Sequence, residues 1–166
     1  MPITEFLVNN AKNYKNEVAL VEINPEMQDK NRQTWREYSL IETNPFNVGR
    51  SELTWGEFDK RANRFANLLL TRGIKKGDKI ALCAKNSAEW CISFLAIVSY
   101  DAVAVPLLPD FLPSNVADLT RLSGSRMLML DNNIYDALSR DGVLPQFETF
   151  GNFRGLVDVV SLDVMA

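Results

Sequence analysis

Three apolar runs follow one another almost without a break: KIALCA over 79–84, AEWCISFLAIVSY over 88–100 and AVAVP over 102–106. The outer two have the length of strands and the middle one has the length of a helix. Strands that are apolar on both faces fit a parallel sheet covered on both sides. A helix carrying Trp90, Cys91, Ile92, Phe94, Leu95, Ile97 and Val98 is apolar nearly all round and must be covered from several directions. Ser87 stands where an N-cap is needed, and Glu89 complements the first turn.

The flanks extend this unit. Thr54-Trp55-Gly56-Glu57 has the form of a capping box. Phe58, Ala62, Phe65, Ala66 and Leu69 then make one apolar stripe, Glu57 and Arg61 can pair on the wet side, and Gly73 sits where the helix should end. Lys75-Lys76-Gly77-Asp78 reads as a turn. After Pro106, a loop punctuated by Pro109 and Pro113 leads to Ser114, the expected cap of a helix over 115–123. RMLML over 126–130 is a third strand, and Asn132 or Asn133 opens a helix to Arg140. Strand, helix, strand, helix, strand implies right-handed crossovers. The expected fold is α/β, a doubly wound and mainly parallel sheet flanked by helices.

The ends are less regular. Ile3, Phe6, Leu7, Ala11 and Tyr14 share one face of an expected helix over 3–14, and a short strand follows over 18–23. The stretch 25–50 is polar and broken by Pro25 and Pro45, which predicts a surface insertion, a hairpin or loop with an exposed strand at 33–41. The tail 141–166 has turn signals and then a strand-like run at 155–160. An open parallel sheet closing on such a run reads as part of a longer protein.

Several chemistries lack their residues. The chain has no histidine, which removes Ser-His-Asp catalysis, most zinc sites and the usual neutral-pH base. Its two cysteines fall in apolar segments and read as core thiols of a reducing compartment. Eighteen Lys and Arg against 21 Asp and Glu leave a net charge of −3 with no basic stripe, so nucleic acid is not an expected partner. The N-terminus has no apolar signal core, and the 88–100 run is too short to span a bilayer, so a cytoplasmic protein is expected.

Doubly wound sheets bind ligands at the carboxyl ends of their strands. The three loops there, Lys85-Asn86-Ser87, the LLPDFLPS segment and Asp131-Asn132-Asn133, contain no glycine. A phosphate cradle needs glycine for close backbone approach, so neither a dinucleotide fingerprint nor a P-loop is present. Asp101, Asp110, Asp118 and Asp131 are read as caps or solvated charges. Trp55, Trp90 and Phe94 are read as core, and Ser87 as a cap with no nucleophile elbow around it. Lys85 and Arg121 read as solvated surface, or as charge presented near strand ends. No catalytic and no metal-ligating residue is expected.

From 53 to 131 the wording resembles the N-terminal subdomain of the adenylate-forming enzymes, specifically the acyl-CoA synthetases (AMP-dependent synthetases and ligases). The resemblance rests on Leu53-Thr54-Trp55, Glu57-Phe58-Asp59, Arg61-Ala62-Asn63-Arg64, Ala66 and Gly73-Ile74-Lys75-Lys76-Gly77-Asp78. It continues through Asn86-Ser87, Glu89-Trp90, Phe94-Leu95-Ala96-Ile97, Ala102-Val103-Ala104-Val105-Pro106-Leu107, Pro109, Pro113 and Leu130-Asp131. No single element is specific; the ordered set is. Asp101 departs from the family's usual glycine, which implies either a divergent member or a turn that tolerates Asp in a left-handed conformation.

The resemblance implies a parent enzyme that uses ATP and Mg to turn a carboxylate into an acyl-adenylate, and then passes the acyl group to CoA. The family's phosphate loop, adenine-binding segment, ribose-binding Asp and catalytic Lys all lie downstream of the matched region. None maps onto this chain, so residues 1–166 are expected to be an inactive N-terminal subdomain that binds no cofactor itself. Its implied role is a buried sheet and a wall beside the CoA entrance. If any residue here touches CoA, the candidates are Pro109, Asp110, Phe111 and Arg121. Implied partners are the small-molecule carboxylate, CoA and the rest of the polypeptide, with a homodimer of the chain as a further candidate. Two alternatives stay open: an adenylation domain that loads a carrier protein, and a non-catalytic α/β interaction module.

Overall fold

Two helices of this chain begin where the sequence supplies a side-chain cap. The structure, a computed structural model, describes residues 2–23, 50–140 and 148–150. Its elements are α1 (Ile3–Asn13), β1 (Val18–Ile23), β2 (Arg50–Thr54), α2 (Trp55–Thr71), β3 (Lys79–Cys83), α3 (Ala88–Ser99), β4 (Val103–Leu107), α4 (Pro113–Leu122), β5 (Met127–Leu130), α5 (Asn132–Arg140) and β6 (Glu148–Phe150). Thr54 Oγ1 accepts the Glu57 N–H at 3.2 Å, and Ser87 Oγ accepts the Trp90 N–H at 3.1 Å. Both caps stand where the sequence places them. Gly73 closes α2 at φ +77°. Its N–H donates to the Leu70 carbonyl and the Ile74 N–H to the Leu69 carbonyl, the bond pair of a Schellman motif. On the wet side of α2, Glu57 pairs with Lys60 at 3.8 Å.

β3, β4, β5 and β6 form one sheet in the order β4-β3-β5-β6, and every neighbour pair is parallel. The faces alternate strictly. Ile80, Leu82, Met127 and Met129 enter one core with Phe58, Phe65 and Leu69 of α2 and Ile92 and Ile97 of α3. Ala81, Cys83, Leu128 and Leu130 enter a second core with Val116 and Ala117 of α4 and Ile134 and Leu138 of α5. Helices therefore cover both faces, and the doubly wound α/β architecture expected from the apolar runs is the one found. β4 is the edge strand on its side among the described residues. The Val103 N–H donates toward the β3 side, to the Asp78 carbonyl. By alternation Pro106 turns its missing N–H to the free edge, where proline is tolerated.

Four readings change. Ser114 does not cap α4: Leu112 is the N-cap and makes no side-chain cap bond, and Pro113 occupies the first turn. A proline there has its φ preset and lacks only an N–H that would have been an orphan, so the helix starts earlier. Arg50 is not part of an insertion but opens β2, which pairs antiparallel with β1 from Ile23↔Arg50 to Val18↔Thr54. β6 pairs with β5 from Met127↔Glu148 to Met129↔Phe150, in a part of the tail where the sequence shows turn signals and no strand is expected before 155. The helix over 3–14 forms as α1, but of its apolar face only Leu7 is buried; Ile3, Phe6 and Tyr14 are each about half exposed. The rest of the 25–50 insertion, the strand at 33–41 and the run at 155–160 lie outside the described residues.

Turn chemistry secures the amino ends of the strands. Asp101 adopts φ +59°, the left-handed conformation that is one of its two readings, and its carbonyl accepts the Gly77 N–H at 2.9 Å. Asp78 Oδ2 accepts the Lys75 N–H at 2.7 Å and pairs with Arg126 Nη1 at 3.0 Å. Arg126 also donates to the Gly73 carbonyl. The Lys75 N–H and the Arg126 guanidinium hold the Asp78 carboxyl below its ordinary value. The folded state therefore gains from ionised Asp78 above the unfolded pKa and loses that gain as pH falls through the depressed folded value. Asp78→Asn is expected to flatten the acid limb of the stability–pH curve, measured by denaturant unfolding across the acid range. An unchanged acid limb would contradict this.

Candidate functional site

In an open parallel sheet the place to look is where successive connections leave to opposite faces. α3, which follows β3, packs in the first core, and α5, which follows β5, packs in the second. The switch point therefore lies between the carboxyl ends of β3 and β5. Lys85, Asn86 and Ser87 leave from one side and Asp131 from the other.

Protein groups already occupy that crevice. Asp131 Oδ2 accepts the Lys85 N–H at 2.8 Å, and the Asp131 N–H donates to the Cys83 carbonyl at 3.3 Å. The Asp131 carbonyl accepts the N–H groups of Ile134 and Tyr135, which starts α5. At the start of α3, Ser87 takes the Trp90 N–H, and Glu22 Oε2 reaches from β1 to take the Ala88 N–H at 3.1 Å. At the start of α3, the Ala88 and Trp90 N–H groups, which could otherwise face a phosphate, are thus bonded within the protein. Glu22 and the Asp131–Lys85 tie were not visible in sequence spacing. Both link residues distant in the chain, and only the fold brings them together.

The sequence candidates fall into two groups. Pro109, Asp110 and Phe111 do lie at a strand's carboxyl end, just after β4, in a tight turn with the Phe111 N–H on the Leu108 carbonyl at 3.2 Å. Leu108 and Leu112 flank it and are largely exposed, as is Asp110. Arg121 is elsewhere. It belongs to the last turn of α4, which runs from the carboxyl end of β4 back toward the amino end of β5. At the usual rise of a helix, about 12 Å of α4 separates it from the loop. Its guanidinium donates to Asp118 Oδ1 at 3.0 Å. Loop and cation do not form one site, and the loop's own charge is the acid Asp110.

Among the described residues no three Cys, Asp or Glu side chains come together in a group able to hold a metal ion. Cys83 is fully buried, and desolvation with the nearby Asp131 charge pushes its thiol up to about 11. Burial and the charge of Glu22 likewise raise the partly exposed Cys91. A thiolate is the reactive form, so neither is poised to attack. Titration with a disulfide reagent at pH 8 is expected to leave Cys83 unmodified in the native chain and to modify it in denaturant. Fast native labelling of Cys83 would contradict its placement. Among the described residues no helix is long and apolar enough to cross a membrane.

Comparison with known proteins gives a consistent result. The family model described as AMP-binding enzyme matches residues 7–150. Nonribosomal peptide synthetase NPS2 of Ceriporiopsis subvermispora is 32% identical over 73 residues, which is 44% of this chain and 3% of that protein. Long-chain-fatty-acid–CoA ligase FadD13 of Mycobacterium tuberculosis is 38% identical over 68 residues, 41% of this chain and 14% of that protein. Among solved structures, the anthranilate CoA ligase AuaEII in complex with anthranoyl-AMP superposes with a TM-score of 0.69. That match covers 95% of this chain and 28% of the other at 22% identity, a likeness of fold. The chain thus spans only a small part of each relative.

Proposed function

This chain belongs to the AMP-binding enzyme family, and on that premise we propose that it is the N-terminal subdomain of an AMP-forming acid–CoA ligase. The whole enzyme activates a carboxylate with ATP and transfers the acyl group to the thiol of CoA, in the cytoplasm. The observation that carries this reading is the family match across 7–150, with the motif order of 53–131 inside it. The chain's share of the work is architectural. Its two-sided sheet is a rigid platform, and the Pro109–Phe111 loop forms a wall beside the thiol entrance. Nucleotide, Mg and the reacting carboxylate are handled by the remainder of the polypeptide, and no step is assigned to residues of this chain.

The nonribosomal peptide synthetases among its relatives support a second reading, in which the acceptor thiol belongs to a carrier protein. The acceptor assay separates the two. The whole protein bearing this chain is given ATP, a panel of carboxylic acids and either CoA or a phosphopantetheinylated carrier. Formation of AMP and acyl-CoA is the expected result. Adenylate formation with transfer to the carrier alone would replace the first reading by the second, and no ATP-dependent activation of any acid would overturn both.

A further inference from the structure

Charges are scattered along this sequence but not over its fold. β3, β4, β5 and β6 are parallel, so their amino ends lie together. α2, α4 and α5 run back along the sheet and finish at that same end. Hydrogen bonds tie the connections there to one another: the Gly77 N–H donates to the Asp101 carbonyl, the Val103 N–H to the Asp78 carbonyl and the Arg126 N–H to the Lys79 carbonyl. Arg72 follows α2, Lys75, Lys76 and Lys79 lead into β3, Arg121 stands in the last turn of α4 and Arg140 ends α5. All six are exposed. A helix C-terminus favours a cation, which accounts for Arg72, Arg121 and Arg140 singly. It does not account for the three lysines, which lie beyond any helix. Acids lie among them, but Asp78 and Asp118 are engaged by arginines of the same end, Arg126 and Arg121. Glu22, Glu57, Asp110 and Asp131 gather at the opposite end, with Lys60 and Lys85. A chain of net charge −3 is therefore polarised, basic at the amino end of its sheet.

The same end exposes apolar side chains. Leu122, the last residue of α4, is 85% exposed, and Leu70, in the last turn of α2, is 53% exposed. Val103, which opens β4, is exposed as well. Each stands beside a cation: Leu122 follows Arg121, Leu70 lies two residues before Arg72, and Val103 is the β4 partner of Lys79. They belong to three separate elements and are spread across the end of the layers. A bound peptide adds to a sheet edge or fills a groove. Cations with apolar side chains between them, set across the flat end of a layered domain, fit the interface of an anionic bilayer.

We propose that the amino end of the sheet docks this protein on an anionic lipid surface. Lys75, Lys76 and Lys79 meet the headgroups, and Leu122 and Leu70 enter the interface beside them. The crevice at the carboxyl ends of β3 and β5 then faces away from the lipid. The docking face is independent of the acid and of the acceptor thiol used by the proposed ligase.

The test is co-sedimentation of the whole protein that carries this chain with vesicles of phosphatidylcholine and phosphatidylserine, and with vesicles of phosphatidylcholine alone. Binding to the anionic vesicles that weakens as salt is raised is expected, with none to phosphatidylcholine alone. Lys75→Gln together with Lys76→Gln should weaken binding about thirtyfold, the effect of two lysines at an anionic surface. Lys60→Gln together with Lys85→Gln removes the same charge from the opposite end and should change binding no more than about twofold, because that end lies beyond a Debye length from the lipid. Leu122→Ser should weaken binding about tenfold and leave the urea midpoint unchanged, since the side chain is exposed. No binding by the whole protein, equal binding to both kinds of vesicle, or equal losses from the two lysine pairs would overturn the proposal. Binding that falls with Lys75 and Lys76 but is indifferent to Leu122 would mean a soluble acidic partner and would overturn the lipid assignment.

Discussion

Phe65→Ala is expected to lower the unfolding free energy by about 3–5 kcal/mol, the usual cost of truncating a buried aromatic. Phe65 has no exposed surface. It stands on α2 in a stripe with Phe58, Ala62 and Leu69, and that stripe lies in the core formed with α3 and one face of the sheet. The removed ring leaves a cavity that must stay open or be filled by shifting two helices against a rigid sheet. Domains are stable by about 5–15 kcal/mol, so the variant should sit near the edge of folding. The measurement is the urea midpoint with the slope unchanged, since the area exposed on unfolding barely alters. A loss below about 1 kcal/mol, typical of surface sites, would mean that α2 does not cover the sheet as described.

The second large effect distinguishes a sheet covered on both faces from one covered on a single face. Leu128→Ala and Met129→Ala change adjacent residues of β5 that point in opposite directions, Leu128 toward α4 and α5 and Met129 toward α2 and α3. Both side chains are buried. Each variant is expected to lose about 2–5 kcal/mol. In a half-exposed sheet one of the pair would change stability by no more than about 0.5 kcal/mol. Because the residues line separate cores, the double variant should come close to the sum of the singles. One near-neutral member of the pair would show that a layer of helices is missing from that face.

The elements legible in the sequence were those whose signals are local. Thr54 and Ser87 cap because an oxygen three residues ahead of a free N–H is enough to satisfy it. Gly73 marks a positive φ because few other residues tolerate it, and it shows one. The strands KIALC, VAVPL and MLML were readable from uniform apolarity. Ser114 misled because Pro113 offered a second, stronger start to the same helix. β2, RSELT, was lost because a largely polar strand declares itself only through its partner, and β1 lies across a long intervening segment. β6 is too short to carry a period.

For the candidate site, the loop after β4 was placed correctly at a strand end. Arg121 was not, because closeness along the chain ignored that a helix carries its last turn to the far end of the sheet. The ties made by Glu22, Arg126 and Asp131 are long-range bonds, for which no local spacing could stand as a signal.

On the proposed function, this chain supplies an adenylate-forming enzyme with a sheet and none of its reactive groups. Acid-dependent ATP–pyrophosphate exchange tests this directly, measured in parallel on the 166-residue chain and on the whole protein that carries it. Exchange by the whole protein and none above background by the chain alone is the expected pair of results. Exchange by the chain alone, purified free of any longer form, would contradict it.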